Sequence, residues 1–197
     1  MSDLTALAAL DPEELELQRR FVAGDREAFG LLVEPHLDTL YTACLRLMGS
    51  AAQAEDAAQE ALVSAMRNHH GFTVGRPLRP WLLTIARNRC RSTLRGPWWR
   101  RVLPLDTPQA SPDNDPEYVT VALDSDAKVR RALMTLPEYY REALALFHLQ
   151  DMSYAEMSEI TGVGVPALKQ RVRRGSALLR EKVQKLYPEL DRGRTSE

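Results

Sequence analysis

The chain has 197 residues, with 26 Lys and Arg against 27 Asp and Glu, so its formal net charge is −1. Its 44% hydrophobic and 27% charged residues are typical of a globular protein and exclude a disordered or fibrous chain. There is no run of about 18 apolar residues and no N-terminal apolar stretch preceded by basic residues, so we expect a cytoplasmic protein.

The cysteines and histidines do not form a metal-binding pattern. Cys44 and Cys90 are far apart and belong to no Cys-x-x-Cys pair, which argues against a zinc finger or a disulfide framework. Each falls inside a helical pattern, which favours a small buried side chain over a redox role. His69 and His70 are adjacent, so they would point apart on a helix. We therefore predict no metal and no cofactor.

The near-neutral net charge conceals two basic segments. Residues 76–101 contain eight arginines and no acid, and residues 168–185 contain seven basic residues and one acid. Residues 102–127, between them, contain six acids and no base. Two basic segments divided by an acidic spacer suggest two contacts with a polyanion such as nucleic acid. Charge alone leaves open the alternative of two solvated helix faces.

Residues 13–95 have the apolar period of helices with short breaks. The first predicted helix opens at Asp25, a suitable N-cap after Gly24. Its apolar residues recur with a helical period as far as Met48, and Gly49 ends it. The pattern therefore predicts one helix across this whole stretch.

Two further helices are predicted in this block, over residues 54–67 and 81–95. Between them, residues 68–78 contain two glycines and a proline and are predicted to form a loop. Pro80 suits the first turn of the third helix. The inward face of that helix is predicted to carry Leu82, Ile85, Ala86 and either Cys90 or Thr93.

The chain is predicted to be all-α, with two small helical domains. The first covers residues 12–96 and the second residues 124–187, with a short tail over 188–197. They are joined by a flexible linker, residues 97–123, which is rich in proline and acidic residues. About 20 extended residues can reach about 65 Å, close to two turns of duplex DNA at about 34–36 Å each.

A helix-turn-helix is predicted near the C-terminus. Ser153 and Glu156 have the spacing of a capping box at the start of a helix. Gly162 and Gly164 supply a tight turn, and a second helix starts at Val165. A helix, a glycine-containing turn and a second helix together are typical of proteins that read the DNA major groove.

The second of these helices has one apolar and one polar side. At about 100° per residue, its buried side is predicted to carry Val165, Leu168, Val172, Gly175 and Leu179. The opposite side carries Pro166, Gln170, Arg173, Arg174 and Ala177, flanked by Lys169 and Arg171. Arginine can read guanine and glutamine can read adenine. An ordinary basic surface helix is the alternative.

The third helix carries a second set of candidate nucleic-acid contacts. Arg87, Arg91 and Arg95 recur every four residues and form one ridge, with Asn88 beside it. The ridge is predicted to face away from the core. Because no acidic residue lies nearby in the sequence, the phosphates of a nucleic acid would balance its positive charge. Because the preceding loop carries Phe72, charge and stacking together could hold single-stranded DNA.

Asp56, Gln59 and Glu60 share one face of the second helix. A metal or acid–base site would need a histidine or a third acid, and none is suitably spaced, so catalysis is not predicted. A solvated face and a patch that meets a basic partner both remain open.

Several motifs, in order, resemble the extracytoplasmic-function sigma factors of bacterial RNA polymerase. Residues 54–62 and 80–88 look like the domain two of that family. Residues 136–142, 151–157 and 162–174 look like its domain four. The resemblance implies a sigma factor without catalytic activity, which brings core polymerase to promoters. An anti-sigma factor is a further implied partner, and no membrane insertion is implied.

The resemblance also implies roles by position. Docking on the β′ clamp helices of core polymerase is implied for Asp56, Gln59 and Glu60. The loop over residues 68–78 would capture a flipped-out base of the minus-ten element. Minus-ten DNA contacts are implied for Phe72, Arg76, Arg79, Arg87, Asn88, Arg91 and Arg95. Minus-thirty-five contacts are implied for Lys169, Gln170, Arg171, Arg173 and Arg174. Domain four would also bind the β flap.

Two other classes of protein are alternatives to a sigma factor. A stand-alone helix-turn-helix regulator would not need the polar face around Asp56, and no effector pocket or long dimerisation helix is evident. A nucleic-acid-processing enzyme would need a metal or nucleophile cluster, which the sequence does not supply. The chain departs from the usual sequence of the sigma-factor family at residues 164–167, at Gln170 and at residues 75–78. These departures bear on which promoter sequence the protein would recognise, and not on the class of protein.

Overall fold

The structure, a computed structural model, describes residues 11–95, 121–149 and 152–188, apart from the side chains of residues 95 and 121–126. The described residues form nine α-helices and two short 3-10 helices, with no strand among them. The all-α prediction is confirmed. Within the described ranges, no helix is both long and apolar enough to cross a lipid bilayer.

The first unit is a bundle of five α-helices. They are α1 Pro12–Val22, α2 Arg26–Val33, α3 Leu37–Met48, α4 Ala51–Arg67 and α5 Leu78–Arg95. Asp25 caps α2 as predicted, because its carboxylate accepts hydrogen bonds from the backbone N–H groups of Glu27 at 2.9 Å and Ala28 at 3.2 Å. A hydrogen bond from Arg20 helps to lower the pKa of Asp25, which keeps the cap ionised.

The prediction of one helix from Asp25 to Met48 is wrong. A 3-10 turn, Glu34–His36, separates α2 from α3. Its cause is Pro35, which has no backbone N–H and whose ring clashes with the preceding turn of an α-helix. The apolar period survives the break because the chain resumes helical geometry at Leu37, so periodicity could not reveal it.

The other two helices of this unit begin earlier than predicted. The start of α4 is Ala51, because the Ser50 hydroxyl accepts a hydrogen bond from the backbone N–H of Gln53 at 3.5 Å and caps the helix. The start of α5 is Leu78, which leaves Pro80 within the first turn, where a missing N–H costs nothing. Most of the predicted inward face of α5 is buried, but Ile85 is only half-buried and Thr93 is exposed.

An aromatic cluster joins α1, α2, α5 and the loop before α5. Phe21 lies at its centre with no exposed surface. Its ring centroid is 5.0 Å from that of Phe29, and 5.9 Å from those of both Phe72 and Trp81. Aromatic pairs at such distances add to the gain from burial. The cluster therefore fixes both α1 and the loop against the bundle.

We expect Phe21→Ala to lower the free energy of unfolding by about 3–5 kcal/mol, the usual range for truncating a buried phenylalanine. Urea denaturation followed by circular dichroism measures the change. The matched control is Leu31→Ala in α2, whose side chain is 50% exposed and should change stability by no more than about 0.5 kcal/mol. Equal, small effects of both substitutions would show that α1 does not belong to the core.

The second unit contains four α-helices. They are α6 Val121–Met134, α7 Glu138–Phe147, α8 Tyr154–Thr161 and α9 Val165–Leu186. The start of α6 lies three residues inside the predicted linker, most of which falls outside the described residues, as does nearly all of the predicted tail. In α9, Gly175 is buried, and a β-carbon there would lie 3.3 Å from Leu144 of α7. This glycine therefore lets α7 and α9 pack closely.

The two units pack against each other and share one apolar core. Helix α3 contacts α6 and α7, and α5 contacts α8. Gly49, at the end of α3, has φ +79°, and Met134 occupies the space where its β-carbon would lie. The guanidinium of Arg46 donates a hydrogen bond of 3.5 Å to the carbonyl of Ala145. The sequence predicts two units on a flexible tether, and does not predict this contact.

Both cysteines are buried and free, as predicted. Their side chains meet between α3 and α5, where a hydrogen bond with Cys90 together with burial raises the pKa of Cys44. This thiol therefore stays protonated and packs as a small core side chain.

Candidate nucleic-acid interface

The outer side of α9 carries the predicted polar residues. Leu168, Val172 and Gly175 are buried, whereas the predicted opposite side is exposed throughout: Pro166, Gln170, Arg173, Arg174 and Ala177. Val165 and Leu179 are half-buried at the edges of the apolar side. The predicted division of this helix is thus correct. We call Lys169, Gln170, Arg171, Arg173 and Arg174 the reading face.

Local signals in α8 and the turn position the reading face. The Ser153 hydroxyl accepts a hydrogen bond from the backbone N–H of Glu156 at 3.2 Å. The Glu156 carboxylate accepts one from the backbone N–H of Ser153 at 2.8 Å, so the predicted capping box is complete. Gly162 ends α8 with φ +70°, a value that favours glycine. The turn then brings the N-terminus of α9 to the surface.

Two tyrosines that the sequence analysis did not single out lie next to the reading face. The Tyr139 ring, 46% exposed, lies 5.8 Å from the guanidinium of Arg171. The Tyr154 ring lies 5.7 Å from the ammonium of Lys169. Such cation–π contacts restrict long basic side chains. With Tyr140, Gln170 and Arg174, the Tyr139–Arg171 pair lines an open groove on the surface.

Four of the predicted minus-ten arginines lie at the contact between the two units and form ion pairs with glutamates of the second unit: Arg76–Glu159 at 3.1 Å, Arg79–Glu156 at 3.2 Å, Arg91–Glu138 at 2.8 Å, and Arg87–Glu142 in direct contact. We call Arg76, Arg79, Arg87 and Arg91 the arginine row, and Glu138, Glu142, Glu156 and Glu159 the acidic face.

The arginine ridge was predicted to face away from the core with no acids nearby, and for Arg87 and Arg91 this prediction is wrong, because both pair with glutamates of the second unit. The side chain of Arg87 is only 10% exposed and that of its partner Glu142 only 6%. The helical period correctly places Arg87 and Arg91 on one side of α5. It could not show that this side meets the second unit, because the glutamates are distant in sequence.

Other members of the predicted minus-ten set differ in placement. Asn88 is exposed, and its side-chain oxygen accepts a hydrogen bond from Arg87 at 3.3 Å. The side chain of Arg95 lies outside the described residues. Next to Arg79, His36 is half-buried, and burial, followed by the arginine charge, lowers the pKa of His36. Its ring is therefore neutral at pH 7, and it adds no cation to this surface.

Phe72 is 4% exposed and packs in the aromatic cluster, so in this conformation it cannot stack on a DNA base as predicted. The predicted loop around it is also anchored to α1. The side chain of Gln18, fully buried, donates to the carbonyl of Arg76 at 3.2 Å and accepts from the N–H of Gly75 at 2.8 Å. His69 contacts the carbonyl of Val22 at 2.9 Å. Sequence patterns miss these contacts because their partners are far apart in the chain.

The predicted polar face on α4, which we call the docking patch, is exposed at all three positions: Asp56, Gln59 and Glu60. Gln59 donates to Glu55 at 3.4 Å, and Glu60 pairs with Arg89 of α5, an arginine that the sequence analysis did not select. In the part of the chain that the structure describes, no three His, Cys, Asp or Glu side chains come together as a metal site.

The comparisons with known proteins concern both units. Residues 32–100 match the family model described as Sigma-70 region 2, and residues 126–179 match Sigma-70, region 4. The ECF RNA polymerase sigma factor SigW of Bacillus subtilis is 29% identical, over 83% of this chain and 92% of its own length. The RNA polymerase sigma factor CarQ of Myxococcus xanthus is 31% identical, over 88% of this chain and 99% of its own length.

A solved structure extends the likeness to three dimensions. The sigma factor RpoE in complex with the anti-sigma factor NepR, from Bartonella quintana, is 27% identical to this chain. It superposes with a TM-score of 0.65 over 79% of this chain and 96% of the matched chain. The match therefore includes both units.

Proposed function

Because this chain belongs to the extracytoplasmic-function sigma factors of RNA polymerase, we propose that it binds core polymerase and directs initiation at promoters with minus-ten and minus-thirty-five elements. The reading face carries this proposal: an exposed basic and amide surface near the start of the second helix of a helix-turn-helix. A major-groove reader presents such residues there. The chain would act in the cytoplasm and would carry no catalytic activity of its own.

We propose that residues 12–96 form the unit for polymerase docking and the minus-ten element. The docking patch would meet the β′ clamp helices, which is supported by the exposure of its three polar side chains. The arginine row, with Asn88 and Arg95, would contact minus-ten DNA, and the loop over residues 68–78 would receive a flipped-out base. A contact through Phe72 would require this residue to leave the aromatic cluster.

Residues 124–187 would form the minus-thirty-five unit, joined to the first unit by a linker over 97–123 and followed by a tail over 188–197. The reading face would enter the major groove, where arginine reads guanine and glutamine reads adenine. The apolar helices of this unit would rest on the β flap. An anti-sigma factor is a further proposed partner, since the similar RpoE was solved in complex with one.

A binding comparison tests this function against that of a stand-alone helix-turn-helix regulator. We expect immobilised full-length chain to retain core RNA polymerase tightly and a free promoter duplex weakly. We also expect the resulting complex to start RNA at defined sites in vitro. A regulator would give the reverse pattern, with strong duplex binding and no retention of polymerase. That reverse pattern would contradict the proposal.

A further inference from the structure

Gln18 of α1 is a fully buried polar side chain whose amide makes three hydrogen bonds. Its carbonyl oxygen accepts one from the backbone N–H of Gly75 at 2.8 Å, and its amino group donates one to the backbone carbonyl of Arg76 at 3.2 Å. The amino group also donates to the Glu14 carboxylate at 3.1 Å. A buried amide needs such partners, because an unpaired one lowers stability. The position and orientation of this side chain are therefore fixed.

The two backbone groups that Gln18 binds belong to one tight turn, residues 73–76, which we call the loop turn. It is closed by a hydrogen bond of 3.1 Å from the backbone N–H of Arg76 to the carbonyl of Thr73. Gly75, its third residue, has φ +89°, a value that favours glycine at that position of a turn. Thr73, Val74 and Arg76 are exposed. The loop turn therefore presents exposed residues to the outside, while Gln18 binds its backbone from the inside.

Helix α1 contacts the loop over residues 68–78 in the reverse order of the chain. The carbonyl oxygen of Val22 lies 2.9 Å from a ring nitrogen of His69, and the Phe21 ring packs against Phe72 with 5.9 Å between the centroids. Gln18, one helical turn earlier, binds the loop turn further along the chain. Residues three and four apart share a helix face. One face of α1 therefore fixes the loop at three successive points.

The proposed role of the loop makes its shape important. A flipped-out base is recognised by hydrogen bonds to its Watson–Crick edge and by a closely fitting pocket. Such a site has to be held to within about 0.5 Å by residues that support it from behind. Gln18 is placed to give this support, because it is buried and meets the backbone of the loop turn on the side away from solvent.

We propose that Gln18 is a positioning residue for base selection in the minus-ten element. It fixes the loop turn, and the loop turn then selects the base that the loop receives. This inference rests on the proposed function for the role of the loop. It adds that a residue of α1, outside the loop and without contact to DNA, determines which base is accepted.

Two substitutions alter the loop turn by independent routes. Gln18→Met removes the three hydrogen bonds and keeps the length of the side chain. The freed backbone groups can turn toward water, because Gly75 is half-buried and Arg76 is exposed, so the turn should rearrange while the bundle stays folded. Gly75→Ala acts from the other side of the contact: the space around its β-carbon is open, but alanine is strained at this φ.

Leu47→Ala is the control for a loss of stability alone. Leu47 is buried near the end of α3, close to the start of α4, whereas the loop follows the end of α4. The 17 residues of α4 span about 25 Å, so this substitution weakens the core far from the loop. Urea denaturation of each free variant measures its loss of stability, with which any loss of binding is compared.

The binding measurement uses core polymerase assembled with the full-length chain. The wild-type complex first selects its preferred minus-ten sequence from a library of single-stranded oligonucleotides. The affinities for oligonucleotides with each of the four bases at each position then give the discrimination at that position. We expect Gln18→Met and Gly75→Ala to lower the discrimination at the same single position by about fivefold or more, the lower end of what a good base contact contributes. Leu47→Ala should keep the wild-type discrimination at every position.

Three results would overturn the positioning role: wild-type discrimination in Gln18→Met, an equal loss of affinity for every oligonucleotide, or a change at a different position from that in Gly75→Ala. If circular dichroism shows that Gln18→Met is unfolded, Gln18→Glu replaces it. Its carboxylate keeps an acceptor for the N–H of Gly75 and, when ionised, has no donor for the carbonyl of Arg76. The same outcomes then decide.

The wild-type complex separates this inference from the proposed function. If it selects no minus-ten sequence from the library, the proposed function is wrong. If it selects one and the Gln18 variant keeps the same preference at every position, only the role of Gln18 is wrong.

Discussion

Asp56→Arg is expected to abolish assembly with core RNA polymerase while both units stay folded. Asp56 is an exposed member of the docking patch on α4, so the substitution should not disturb the helix. Removing one member of a charge pair buried at an interface costs about 2–5 kcal/mol, and a reversed charge adds repulsion. We therefore expect the affinity for core polymerase to fall by about 30-fold or more.

Size-exclusion chromatography and a competition assay with labelled wild-type chain measure this loss. Glu34→Arg is the matched control, because it reverses an exposed acid in the 3-10 turn, outside the docking patch. The control should assemble normally. Normal assembly of Asp56→Arg would refute the docking role of this patch.

Arg173→Ala and Gln170→Ala are expected to weaken promoter-specific transcription and leave core binding intact. Both side chains are exposed on the reading face and neither supports the fold of the helix-turn-helix. A good contact to a base edge contributes about 1–3 kcal/mol of discrimination. Each substitution should therefore reduce initiation at a promoter with a matched minus-thirty-five element by about 5-fold to 150-fold.

The control for these substitutions is Arg180→Ala, which removes an exposed arginine from the same helix about two turns further on. It should affect transcription little. A template with a scrambled minus-thirty-five element should reduce the difference between each variant and the wild type. If Arg173→Ala and Gln170→Ala instead lose core binding as strongly as transcription, the assignment of the reading face is wrong.

The reading face was predictable because its signals are local. Ser153 and Glu156 complete a capping box within one turn, and Gly162 adopts the left-handed conformation that ends α8. The helical period alone separates Leu168 and Val172 from the exposed side of α9. No contact from the first unit is needed to define this surface, because interactions between residues close together in the sequence are sufficient to form it.

The break at Pro35 shows a limit of the same reasoning. The apolar period continues from α2 into α3, so a pattern based on periodicity predicts one helix across a turn that proline forces into 3-10 geometry. The prediction of helix at either side is correct because each half is amphipathic. The rule that proline interrupts an α-helix would have corrected the prediction of a single helix, without any knowledge of tertiary packing.

By itself, the sequence determined the all-α class, the helix-turn-helix, the exposed reading face and the grouping of Arg87 with Arg91 on one side of α5. Only the tertiary structure decided that Phe72 is buried and that the arginine row meets the acidic face. The reason is distance along the chain: Arg87 and Glu142 are 55 positions apart. Helical periodicity orients a side chain on its own helix, whereas the packing of whole helices selects what that side chain meets.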